Sequence, residues 1–127
     1  MRRTYIVLII VALLFGGCAI SREARIQKIQ SRYPQWDQPT VERVAEGRVE
    51  IGMTEQMVSA IMGQPAYVAR EDHRTVWVYM GSETSSWGVI VQVPAFFVYL
   101  EGGRVVEIKG SQRRVVTPLL YSRNYVP

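Results

Sequence analysis

Apolar residues recur along this chain with two different periods, and the change falls at Pro65. Before it they follow helical spacing. Met57, Val58, Ile61 and Met62 share one side of a short segment whose other side carries Glu55, Gln56 and Ser59. Thr54 stands where an N-cap belongs, Glu55 places a negative charge at the positive end of the helix dipole, and Met53 with Val58 forms a hydrophobic staple. Position N3 is Met57, so the reciprocal half of a capping box is missing. Gly63 supplies a left-handed C′ residue and Pro65 prevents the helix from resuming. A two-turn helix is unstable alone in water, so residues 51–65 must pack on something else. An earlier helix is predicted from Pro39, with Val41, Val44 and Ala45 on one face, Glu42, Arg43 and Glu46 on the other, and Gly47 as its stop. Ser21 to Ser31 reads as a polar tether, open to a helical form, with Ile26 and Ile29 three apart and little else to bury. Trp36, between two prolines, either docks that tether onto the domain or covers a core edge.

After Pro65 the period becomes two. Ala66 to Ala69 and Thr75 to Met80 predict a hairpin around the charged turn 70–74, with Val76, Val78 and Met80 facing one way and Trp77 and Tyr79 the other. Phe96 to Leu100 and Val105 to Lys109 predict a second hairpin, closed by Gly102-Gly103, a pair suited to a two-residue turn with positive φ. Between the hairpins, residues 82–94 divide into a polar, flexible half and an apolar half. They are open to two readings. Either strand three begins early and Pro94 marks a bulge or an edge, or Trp87, Val89, Ile90 and Val91 form an exposed apolar arm that meets a partner or the bilayer surface. The expected class is α+β: two short helices packed on an antiparallel meander of three to four strands, a two-layer sandwich.

Composition places the chain among foldable proteins, with 48% hydrophobic and 20% charged residues in 127. The first seventeen residues change that picture. Met1-Arg2-Arg3 is a basic start, Thr4 to Phe15 is almost wholly apolar, and Gly16-Gly17 are the small residues of a cleavage site. The apolar run is shorter than the roughly 20 residues that span a bilayer. Cys18, the only cysteine, follows directly, which rules out an intramolecular disulfide. The formal charge is +4; taking Arg2 and Arg3 from the 15 Lys and Arg leaves 13 against 11 Asp and Glu, a net +2. That balance does not suggest nucleic acid. Arg22, Arg25, Lys28 and Arg32 follow the cysteine closely, either drawn to anionic headgroups or simply solvated. The expected organisation is a signal peptide over 1–17, a lipidated N-terminus and tether over 18–38, an α+β domain over 39–110 and a surface tail over 111–127.

No catalytic constellation is expected. His73 is the only histidine and stands among charges in a turn, Glu71 and Asp72 point apart in extended structure, and Ser82, Ser85 and Ser86 have no neighbouring base. With one histidine and one cysteine there is no expected metal site or cofactor, and no glycine loop for phosphate.

Two resemblances add to these readings. Leu14-Phe15-Gly16-Gly17-Cys18 resembles the lipobox of bacterial lipoproteins, with Phe15 where an aliphatic residue is usual; it implies that Cys18 is lipidated, and Ala19 after it favours the outer membrane, facing the periplasm. Gly52-Met53-Thr54, Gln56, Val58, Gly63 and Pro65, then Trp77-Val78-Tyr79, then Phe97 to Leu100 with Gly103-Arg104-Val105, resemble the SmpA/OmlA (BamE-like) family over residues 40–109. That resemblance implies two helices on a three-stranded sheet and a non-catalytic role beside the machinery that assembles outer-membrane β-barrels. Residues 82–94 and the tail have no counterpart in it. The expected partners are the membrane, through Cys18, and envelope proteins, with no small-molecule substrate. The competing expectations are an inhibitor module similar to β-lactamase inhibitory proteins and a lipoprotein that binds peptidoglycan or lipid directly.

Overall fold

The structure is a computed structural model that describes residues 21–115. The expected signal peptide, Cys18 and the end of the tail lie outside those residues. Each of the first three elements is a helix begun by a side-chain cap that satisfies a first-turn amide. Ser21 accepts from the Ala24 N–H (3.2 Å) at the start of α1, Arg22–Arg32. Asp37 accepts from the Thr40 N–H (3.0 Å) at α2, Gln38–Ala45, and Thr54 accepts from the Met57 N–H (3.3 Å) at α3, Glu55–Met62. α3 ends as its residues dictate, though not in the αL geometry. Gly63 takes φ 76° and ψ −164°, a region open essentially to glycine alone, and its N–H donates to the Ser59 carbonyl (2.8 Å).

Four antiparallel strands follow in the order β1-β2-β3-β4: Tyr67–Glu71, Arg74–Thr84, Ile90–Glu101 and Arg104–Gly110. Both tight turns need positive φ, supplied by Asp72 (56°) in the first and by Gly102 and Gly103 (57° and 76°) in the second. The class is α+β, with a third helix beyond the two expected. The helices lie on one face of the sheet. Their fully buried Ile29, Val41, Val44, Val58 and Ile61, with Met53, meet Tyr79, Phe96, Val98, Leu100 and Val105. Tyr79 also donates its hydroxyl to the Gly63 carbonyl (3.0 Å), tying β2 to the end of α3.

The segment 21–31 takes the helical form left open to it, but it is packed on the domain and not a tether with little to bury. Ile29 is fully buried, Ile26 packs beside it, and Arg25 Nε donates to the Ala45 carbonyl (3.0 Å). Ile29, Ile26 and the Arg25 hydrogen bond together dock this short helix. Trp36 stacks on Tyr33 with ring centroids 4.1 Å apart, and both cover an edge of the core. Residues 51–65 find their packing surface as required. Gly52, at φ 87°, donates its N–H to the Val105 carbonyl (2.8 Å), Val105 returns its N–H to Met53 (2.9 Å), and Arg104 reaches the Gly52 carbonyl (2.9 Å). The entrance to α3 is thus hydrogen-bonded to the start of β4.

Beyond the core, β2 and β3 continue as a two-stranded arm. A β-bulge separates the pair Tyr79↔Phe96 from Met80↔Pro94, leaving Ala95 as the extra residue, and pairing then runs on to Thr84↔Ile90. Strand three does begin early and Pro94 does stand at a bulge. Ser82–Thr84 belong to a strand, which differs from the flexible polar half expected, because their backbone groups are held by Ile90–Gln92. The start of the tail is structured too. Gln112 opens a 3-10 turn (Gln112–Arg114) and donates to the Gly47 carbonyl (2.6 Å), while Val115 bridges to Gly81.

Truncating Ile29→Ala should lower the unfolding free energy by about 2–4 kcal/mol, the usual cost of emptying a buried isoleucine site. A urea titration reads this directly; a loss under about 1 kcal/mol would show that α1 is only loosely attached.

Candidate functional site

Of the eight large apolar side chains left exposed among the described residues, four lie on the arm: Trp87 (90% exposed), Val89 (59%), Ile90 (71%) and Val91 (39%). All four are the residues singled out in sequence for partner contact. Cys18, the expected lipidation site, lies outside the described residues. The tip that carries Trp87 is tightly built. Gly88 donates its N–H to the Ser85 carbonyl (2.9 Å), Ser85 donates its N–H to the Val89 carbonyl (2.8 Å), and Ser85 Oγ accepts from the Val89 N–H (3.2 Å). Gly88 takes the positive φ (76°) that a three-residue hairpin loop requires at this place. Trp87 sits in the middle of that loop and is held away from the domain.

Alternation along the strands puts the remaining arm residues on opposite faces. Thr84 and Ile90 pair on the face that also holds Ser82 and Gln92, which are joined by a 3.1 Å hydrogen bond; Glu83 and Val91 pair on the other. The base of the arm is fixed by small residues. At Gly81 an added Cβ would lie 2.8 Å from Cβ of Ala95, and at Gly110 (φ 79°) the Ala95 carbonyl leaves no room for one. Arg114 forms an ion pair with Glu83, so the 3-10 turn braces the first strand of the arm.

A second surface was not anticipated as such. The sheet face turned away from the helices carries its own apolar cluster, in which Val76, Val78 and Tyr99 are buried and Ala69 and Phe97 pack beside them, with no helical residue contributing. Tyr67 at its β1 side is 47% exposed, whereas Val68 (56%) pairs with Trp77 and belongs to the helix-facing parity. One edge is ionic. Arg74 donates to Glu107 (2.6 Å) and lies 4.9 Å from the centre of the Tyr99 ring, while Lys109 lies 4.6 Å from the same ring. The signal for this face was present in Val76-Trp77-Val78-Tyr79 and Phe96-Phe97-Val98-Tyr99: apolar residues at both parities mean that both faces are covered or await a cover. His73, by contrast, is an exposed turn residue 3.3 Å from a Glu101 carboxylate oxygen, and no group of three metal-ligating side chains occurs among the described residues.

The hydrogen bond from Arg74 holds the Glu107 carboxyl below its ordinary value of 4.5, against partial desolvation that acts the other way. A carboxylate with a lowered folded pKa contributes stability that is present above the unfolded pKa and is lost as the pH falls through the folded one. The urea midpoint should therefore fall as the pH drops below about 4.5. Glu107→Gln should flatten part of that fall, and an unchanged acid limb would mean that the Arg74 contact contributes nothing.

No family model, no curated protein and no solved structure matches this chain.

Proposed function

We propose that this protein is a non-enzymatic outer-membrane lipoprotein of SmpA/OmlA (BamE-like) type, anchored by lipid on Cys18 and facing the periplasm, that binds other envelope proteins in or beside the β-barrel assembly machinery. The observation that carries the reading is apolar surface left exposed on a folded domain: Trp87, Val89, Ile90 and Val91 on the arm, and Tyr67 beside the cluster of Val76, Val78 and Tyr99, which is itself buried. Exposed apolar surface of this kind marks interaction sites. The residues of the family resemblance support it in a second way. Gly52-Met53-Thr54 and Gly63-Gln64-Pro65 form the entrance and exit of α3, and both ends are bonded to the sheet. They hold the module together, which leaves binding to the surfaces around it. Lipidation is supported by the lipobox-like stretch ending at Cys18.

Crosslinking the anchored protein in native membranes and isolating its complexes should recover β-barrel assembly subunits; recovery of none under conditions that preserve that machinery counts against the proposal. Cys18→Ala should move the protein to the soluble periplasmic fraction, because even one acyl chain gives only marginal, reversible membrane binding and the variant would carry none on this residue. A variant that stays quantitatively membrane-bound would show that another element is the main tether.

A further inference from the structure

The geometry points to a specific occupant for the arm: the surface of the lipid bilayer, entered by the hairpin tip. This inference rests on the reading of Cys18 as the membrane anchor. Its first support is the distribution of apolar groups. Ile90 lies on one face of the arm, Val91 on the other and Trp87 at the end, so a partner seated against either face would leave the opposite side in water. A medium that surrounds the tip covers all three. No charged side chain occurs from residue 84 to residue 100.

Its second support is position. The arm and the start of α1 belong to one end of the domain, connected by a continuous set of contacts. Arg25 bonds to the Ala45 carbonyl, Gln112 bonds to the carbonyl of Gly47 two residues on, and Val115 and Arg114 attach to Gly81 and Glu83 at the base of the arm. Only three residues separate Cys18 from Arg22, where the packed helix begins. Fully extended, they reach on the order of 10 Å. An acylated Cys18 would therefore hold this end of the domain against the headgroups.

Charge favours that orientation modestly. The arm end carries Arg22, Arg25, Arg48, Arg113 and Arg114 against Glu23, Glu46 and Glu83, a net +2, while the turns at the opposite end of the strands carry Arg70, Arg74 and Arg104 against Glu71, Asp72 and Glu101, a net zero. Anionic headgroups favour the first end over the second. Depth is limited by the backbone. β1 does not extend beside Ser82–Thr84, nor β4 beside Ile90–Val93, so strand edges there need water. Tryptophan suits such a shallow site, with an apolar ring and an N–H that stays wet.

The test uses the full acylated chain in vesicles of phosphatidylethanolamine and phosphatidylglycerol with brominated acyl chains. Trp36 and Trp77 are partly buried in the core, so the response to the lipid should come from Trp87. Its emission should shift to the blue and be quenched, and Trp87→Phe should remove the response. Ile90→Glu should weaken quenching by about tenfold without changing the circular dichroism spectrum or the acyl mass on Cys18. Unquenched Trp87 in protein whose intact mass shows acylation overturns the inference and leaves the lipoprotein reading standing. If the mass shows no acyl group, the lipoprotein reading fails by itself, and quenching of the unmodified chain at excess vesicles decides the arm: quenching supports bilayer entry, and its absence excludes it.

Discussion

The antiparallel ladder between β2 and β3 is the constraint on which the rest of the structure depends. It runs from Thr75↔Leu100 to Thr84↔Ile90, longer than three short helices can cover. Over its inner half, Tyr79, Phe96, Val98 and Leu100 close the core against Val41, Val44, Val58 and Ile61. Over its outer half the same backbone pairing continues without a core. Hydrogen bonding therefore makes the arm, while burial stops at the bulge beside Ala95.

The helices hold together because the sheet holds them. None is long enough to persist alone, and each is joined to its surroundings at a terminus: α1 through Arg25 and Ala45, α3 through the Gly52–Val105 pairing at its entrance and the Tyr79–Gly63 hydrogen bond at its exit. Burial pushes the Tyr79 phenol well above its ordinary value, so that hydroxyl stays a donor throughout the physiological range. The glycines at 52, 63 and 102–103 mark places where the chain reverses or leaves a helix with positive φ. They explain why the most recognisable residues of this sequence lie in its framework.

Much of this was legible in the residues. Thr54 as cap, Gly63 and Pro65 as stop, and the Gly102-Gly103 turn each follow from local rules that tertiary packing did not override. α1 was harder to read, since its docking depends on Ile29 meeting a site that exists only once α2 has folded. Gln112 was hidden for the same reason: its bond to Gly47 spans 65 residues, and no local pattern announces it. Trp87, Val89, Ile90 and Val91 were legible as an apolar stretch, but alternation could not say whether they turned inward. The bulge and the 3-10 turn across the arm base decide that they do not.

The framework holds an apolar hairpin tip clear of the domain, where it is proposed to meet the membrane. Replacing Trp87 by a photoreactive amino acid in cells and irradiating intact envelopes tests this most directly. Adducts of phospholipid mass are expected at position 87. Adducts formed only with a protein, or only with a second copy of this chain, would contradict it.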